Sequence, residues 1–162
     1  METLYRDAKT IIHRSIEANL PGAAVRNALA GHTFRGEIHL VAIGKAAWNM
    51  AKAAYDELGE RIRQGVVITK YEHSQGPIPN MEIVEAGHPL SDENTLRGTK
   101  LAIDLAKGLG EQDELLFLIS GGGSALFELP LPGVTLDDII DINSQLLASG
   151  ADIVEINMIR KR

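Results

Sequence analysis

Five apolar residues, Leu115-Leu116-Phe117-Leu118-Ile119, run directly into Ser120-Gly121-Gly122-Gly123-Ser124. No other stretch limits so sharply what this chain can fold into. The apolar run has the length and content of a strand buried on both faces, as in a parallel sheet. Three consecutive glycines let the backbone turn sharply and let a ligand come close. In open α/β sheets, ligands bind at the turns that follow the carboxyl ends of the strands. Two hydroxyls and several unobstructed N–H groups in such a turn suit an anion, a phosphate or a carboxylate. The bland alternative is a surface turn, but a turn alone rarely calls for three glycines between serines. Ser120, Gly121, Gly122, Gly123 and Ser124 are therefore the first candidate binding residues.

The rest of the chain supplies a fold around that junction. Leu4, Ala8, Ile11, Ile12, Ile16 and Leu20 fall near one face of a helix over residues 2–19, which Pro21-Gly22 breaks. A short helix follows over 23–29. Strands are expected over 38–43, 66–69, 81–86 and 115–119, with an alanine-rich helix over 46–58 and a polar, proline-broken loop over 71–80. Ser91 is placed to cap a helix running to about Lys107, with Asp92 and Glu93 in its first turn. Thr135 caps a further helix whose inner side carries Leu136, Ile139, Ile140 and Leu147. Asp152 caps a last one ending at Ile159. There is no repeat, linker or low-complexity segment. Strands alternating with helices predict a single α/β domain over 1–162, a three-layer α/β/α sandwich with a mostly parallel, Rossmann-like sheet.

Composition excludes several classes. With 162 residues and 44% apolar content, the chain can bury a real core and is not intrinsically disordered. No apolar run approaches the length of a membrane span, and the charged start Met1-Glu2-Thr3-Leu4-Tyr5-Arg6-Asp7 lacks a signal-peptide core. The absence of cysteine removes disulfides and thiolate metal sites. A net charge of −6 argues against nucleic-acid partners, while a local pocket can still attract an anionic small molecule. The expectation is a cytoplasmic protein with a small-molecule partner and no membrane or nucleic-acid contact. The basic end Arg160-Lys161-Arg162 is either a solvated helix end or the start of a motif.

Two further turns carry candidate chemistry. Val41-Ala42-Ile43-Gly44-Lys45-Ala46-Ala47 is a strand, a glycine, a lysine and a helix start. The Lys45 ammonium would sit beside helix N–H groups, and both attract phosphate. The pattern is not a Walker A loop, since Ala46 stands where Ser or Thr is needed. Lys45 alone reads equally well as a solvated lysine; a second glycine-rich turn on the same sheet edge favours function. Gly87-His88-Pro89 also follows a strand, and Pro89 pushes His88 into an extended conformation from which its imidazole can reach across a pocket. A structural role for a lone histidine is the simpler alternative. Neither a G-x-S-x-G nucleophile elbow nor a G-x-G-x-x-G dinucleotide fingerprint after the first strand is present.

Together these pieces resemble the type II glycerate kinases, the glycerate 2-kinases of the MOFRL group. The matching segments are Val41–Ala47, Glu85–Asn94 (E-A-G-H-P-L-S-D-E-N), Ile119–Leu126 (I-S-G-G-G-S-A-L) and Asn157-x-x-Arg160-Lys161. The resemblance covers essentially the whole chain. It implies phosphorylation of D-glycerate to 2-phosphoglycerate with ATP and Mg²⁺. It makes Lys45 the catalytic, charge-stabilising lysine and places Ser120 through Ser124 around the substrate or phosphate. His88, Asn157, Arg160 and Lys161 would face the same cleft. No metal ligands or general base are implied by these segments. Members of that family run well past 162 residues. The resemblance therefore implies the truncated N-terminal domain of a longer two-domain kinase, inactive alone, with an open apolar sheet edge and a tendency to form homo-oligomers. A hydroxypyruvate reductase, a label borne by similar sequences, and a non-catalytic sugar-acid or phosphate-binding module are the alternatives.

Overall fold

The structure, a computed structural model, describes residues 2–161. Met1 and Arg162, the outer ends of the charged N-terminal run and of the basic tripeptide, lie outside the described residues. In chain order the elements are α1 (Glu2–Ala18), α2 (Pro21–Leu29), β1 (Ile38–Ile43), α3 (Ala47–Leu58), β2 (Ile62–Lys70), β3 (Met81–Ala86), α4 (Glu93–Lys107), β4 (Glu114–Ile119), the single turn α5 (Gly123–Leu126), α6 (Leu136–Ala148) and α7 (Ile153–Arg160). A turn of 3₁₀ helix, Gly59–Arg61, joins α3 to β2.

The strands pair in the order β3-β2-β1-β4, and every pairing is parallel. β1 lies at the centre, with five of its six residues buried. Side-chain alternation divides the core between the two faces of the sheet. Ile38, Leu40, Ala42 and Val67 pack with Ala47, Trp48, Ala51 and Ala54 of α3, and Val25 of α2 closes that side. Val41, Ile43, Val66 and Ile68 point the other way, onto Ala102 and Leu105 of α4 and Leu126 of α5. The small residues of α3 let it lie close to the strands. The result is the three-layer α/β architecture that the sequence predicts.

Several details differ from expectation. β2 begins at Ile62, four residues early, because pairing with β1 extends through the polar Arg63-Gln64 stretch; the register slips between Ile38 and His39. α2 starts at Pro21, a residue well suited to a first helical position because it has no N–H to leave unpaired. The cap of α4 is Asp92, not Ser91. The Asp92 carboxylate accepts from the Thr95 N–H at 2.9 Å, and the Thr95 hydroxyl closes the box on the Asp92 N–H at 3.1 Å. Ser91 is buried instead, its hydroxyl within reach of the Ala125 carbonyl and the Glu128 carboxylate.

The largest difference concerns β4. It is an edge strand, buried on one face only. Leu116 and Leu118 pack against the α3 side of the core, while Leu115, Phe117 and Ile119 are 40%, 41% and 61% exposed. The sequence pattern of a doubly buried strand is present, but the described residues cover one side. The apolar stripe of α1 is likewise in solvent, and that helix buries none of its residues. On α6, Leu136, Ile139 and Ile140 are half-buried, but Leu147 is exposed.

The Asp92 cap also has an electrostatic signature. Burial alone would raise its carboxyl. Hydrogen bonds from the Tyr71 hydroxyl, the Thr95 and Gly87 N–H groups and the Thr95 hydroxyl outweigh it and hold the group below its ordinary value. Its contribution to stability is therefore present above the unfolded-state carboxyl pKa and is lost as the pH falls through the lower, folded-state value. Asp92→Ala is expected to destabilise the fold by about 1 kcal/mol, whereas Asp92→Asn, which keeps a capping oxygen, costs less. Urea denaturation of the two variants checks the order.

Candidate functional site

β1 and β4 are neighbours, but the chain leaves them toward opposite faces of the sheet. The turn after β1 leads to α3, and the turn after β4 leads to α5 on the α4 side. Adjacent strands whose connections diverge open a crevice at their carboxyl ends. The Gly-Lys turn and the Ser-Gly-Gly-Gly-Ser turn are the two lips of that crevice.

Four hydrogen bonds fasten the lips. The Ser120 N–H donates to the Ile43 carbonyl at 2.9 Å, and the Lys45 N–H donates to the Gly121 carbonyl at 2.9 Å. The Ser120 hydroxyl accepts from the Ala46 N–H at 3.0 Å and donates to the Ile43 carbonyl at 3.1 Å. Gly44 makes this approach possible. Its φ is +108°, and a Cβ there would stand only 2.5 Å from the Ser120 carbonyl oxygen. On the far side, the buried Thr69 hydroxyl donates to the Gly44 carbonyl at 3.1 Å, and the Gly44 N–H donates to the Ile68 carbonyl at 3.1 Å.

A third segment converges on the same point. Gly122 has φ +86°, and a Cβ placed on it would lie 2.8 Å from the His88 Nε2 and 3.3 Å from the Lys45 Cε. The triple-glycine turn therefore sits directly against the imidazole and the lysine stem. His88 is held below the usual histidine range, first by burial and then by the positive charges of Lys45 and Lys70, with His73 adding to them. A hydrogen bond from the ring to its own backbone opposes this shift. The charges that act on His88 are all basic. The crevice is thus a place where nitrogen donors are gathered and an anion would relieve their repulsion.

The structure sorts the sequence-predicted residues into two groups. Lys45, His88 and Gly121–Gly123 meet at the crevice, with Ser120 beneath them. The Ser120 hydroxyl is already engaged on both sides by backbone. Ser124, Asn157, Arg160 and Lys161 line a neighbouring hollow together with Phe127 and Glu128. There Arg160 donates to the Ser124 carbonyl at 2.9 Å and pairs with Glu128 at 3.1 Å. Both side chains of that pair are largely buried, 20% and 16% exposed. Sequence reading missed Lys70, His73, Thr69 and Glu128. Lys70 and Thr69 sit at the carboxyl end of β2, where the same strand-end rule that singled out Lys45 applies; His73 lies three residues beyond it.

A group of possible metal ligands lies elsewhere. Glu37, His39 and Asp113 bring ligand atoms within 4.8 Å of one another at the amino end of β1 and β4, the opposite edge from Lys45. Glu37 is paired with Arg63, and Asp113 accepts from the Gly110 N–H. No helix of the described residues is long and apolar enough to cross a membrane.

A family model described as a domain of unknown function, DUF4147, matches residues 7–162. A protein named D-glycerate 2-kinase from Thermotoga maritima is 54% identical over 160 residues. That match covers 99% of this chain and 38% of the relative. A putative hydroxypyruvate reductase from Agrobacterium vitis is 37% identical, over 95% of this chain and 36% of that protein. A crystal structure of glycerate kinase from Thermotoga maritima superposes with a TM-score of 0.91 at 53% identity, over 99% of this chain and 39% of that one. The chain thus spans well under half the length of the relatives it matches.

The convergence of Lys45 and His88 has a measurable consequence. The folded state lowers the affinity of His88 for a proton below its ordinary value of 6.5. The stability this group confers is therefore fullest above that pH and declines as the pH drops through it. Lys45→Met removes a named cause of the shift. An NMR titration of His88 in that variant is expected to give a higher pKa than in the parent chain. An unmoved pKa would show that the two side chains do not share a site.

Proposed function

This chain belongs to the DUF4147 family, and we propose that the protein carrying it transfers a phosphoryl group from ATP to D-glycerate, giving 2-phosphoglycerate. The observation that carries the proposal is the crevice itself. Lys45, the glycine turn and His88 meet where the strand connections diverge. The 54% identity to a protein named D-glycerate 2-kinase supports it.

Phosphoryl transfer asks a protein mainly for positioned phosphates and for fixed positive charge where negative charge spreads. In this reading the Lys45 ammonium stabilises the transferring group. The N–H groups of Gly121–Gly123 face the anion, His88 holds it by hydrogen bonding, and Ser124 stands at the edge of the neighbouring hollow. Arg160 ties α7 to the turn through the Ser124 carbonyl, bringing Asn157 and Lys161 to its flank. Mg²⁺ belongs to the proposal as the companion of ATP. The groups gathered at Lys45 are nitrogens rather than the oxygens this ion takes. Of the nearby carboxylates, Asp92 caps α4 and Glu85 accepts from the Ser74 N–H. These residues do not fit a magnesium cage. A cytoplasmic location, and self-association through the open β4 face, complete the reading.

Lys45 and Gly121 are exposed, and an open, wet site weakens each electrostatic contact. The isolated chain is accordingly expected to bind phosphate without normal turnover. A coupled assay of ADP release, with D-glycerate, ATP and Mg²⁺, tests the activity in the intact protein that carries this chain. Lys45→Ala is expected to lower kcat by about a hundredfold or more, with little change in KM. NADH-dependent reduction of hydroxypyruvate without glycerate-dependent ADP release would assign the reductase instead. Phosphate binding with neither activity would leave a binding module.

A further inference from the structure

The loop between β2 and β3 has a task that the sequence does not disclose. Residues 71–80 are polar and carry two prolines, yet the loop is pinned at several points. The Trp48 indole N–H donates to the Gly76 carbonyl at 2.8 Å, and the Ser74 N–H donates to Glu85 at 3.0 Å. The His73 N–H closes a tight turn on the Lys70 carbonyl at 3.1 Å, with Glu72 at φ +66°. That turn carries the half-buried His73 ring back over the sheet edge. Its Nδ1 then lies 2.8 Å from the carbonyl oxygen of Lys45.

A carbonyl oxygen only accepts, so the ring must carry its proton on Nδ1 to make this bond. The consequence lies at Lys45. Its N–H is already committed to the Gly121 carbonyl in the turn after β4. Its C=O is committed to His73 in the turn after β2. Both backbone polar groups of one exposed residue are thus held, from opposite sides, by segments 28 and 76 positions away in sequence, and only the side-chain torsions remain free.

We infer that His73 is a positioning residue for Lys45, clamping the Lys45 carbonyl so that the ammonium leaves a fixed backbone at the mouth of the crevice. The inference rests on the reading of the crevice as an anion site. The clamp needs a donor at the Nδ1 position and not merely a ring. Asparagine can supply one from its side-chain amide. Glutamine places its amide farther out, and leucine offers none.

Two measurements on the 162-residue chain decide the matter. Imidazole ¹⁵N shifts should show His73 with its proton on Nδ1 in the neutral form; a neutral ring protonated on Nε2 overturns the clamp. Inorganic phosphate binding, followed through the backbone amides of Gly44–Ala46 and Gly121–Gly123, supplies the second. His73→Leu is expected to weaken phosphate by about fivefold, the worth of one hydrogen bond, and to speed amide exchange at Lys45 and Ala46. His73→Asn is expected to restore both. Equal affinity and equal exchange in parent and His73→Leu overturn the inference, and so does a loss that His73→Asn fails to restore while melting temperature is unchanged. If the parent chain binds no phosphate at all, the anion reading fails. Tautomer and amide exchange then decide the clamp alone: an Nδ1 proton with faster exchange in His73→Leu upholds it, and any other result rejects it.

Discussion

The Ser120 hydroxyl holds the site together. It sits between two strands that part company immediately afterwards, accepting from one turn and donating to the strand before it. Without it, the Ala46 N–H at the start of α3 would lose its partner inside a crowded junction, and α3 has no side-chain cap of its own. A buried donor left unpaired costs more than the bond itself contributes. The absence of a Cβ at Gly44 is the matching condition. Parallel pairing of β1 and β4 brings those two residues together, and their close approach sets Lys45 beside Gly122.

The electrostatics of the crevice follow from what is missing as much as from what is present. The protein is acidic overall, yet the groups that shift His88 are Lys45, Lys70 and His73. Asp92 is drawn away by the start of α4, and Glu85 by the Ser74 backbone. Glu128 is occupied by Arg160. Three carboxylates close to the crevice in sequence or space are thus assigned to structural tasks, and the cations are left without local partners among them. Placing an anion there would favour protonation of His88, reversing the influence its neighbours now exert.

Much of the fold was legible because it rests on local pattern. β1 and β3 fall at their expected bounds, and the Thr135 and Asp152 caps close boxes with Asp138 and Glu155 as helix-start chemistry dictates. What failed depends on tertiary context. The first four residues of β2 carry no strand pattern of their own and join the sheet only because β1 offers them a partner. Ser91 and Asp92 are both good capping residues, and local rules do not say which one the core will bury. The apolar content of β4 showed a strand but not how many sides are covered. The candidate site divides in the same way. Lys45 and the serine–glycine turn announce themselves at strand ends. His73 does not, because its significance arises only when the sheet order sets the end of β2 beside that of β1. Ser120 was legible as important, while its hydroxyl proved committed to backbone.

β4 also joins two properties that usually lie apart. It bears the serine–glycine turn at one end, and along its length it presents Leu115, Phe117 and Ile119 to solvent, with one hydrogen-bonding edge unpaired among the described residues. The strand is anchored to the sheet along a single ladder, so its stiffness is set partly by whatever rests against its bare flank. Ile119, the last residue of the exposed stripe, runs directly into Ser120, so the bare flank and the serine–glycine turn are one continuous piece of backbone. A change of tilt or register along β4 would therefore be felt at the Lys45–Gly121 hydrogen bond, which joins its turn to the one after β1.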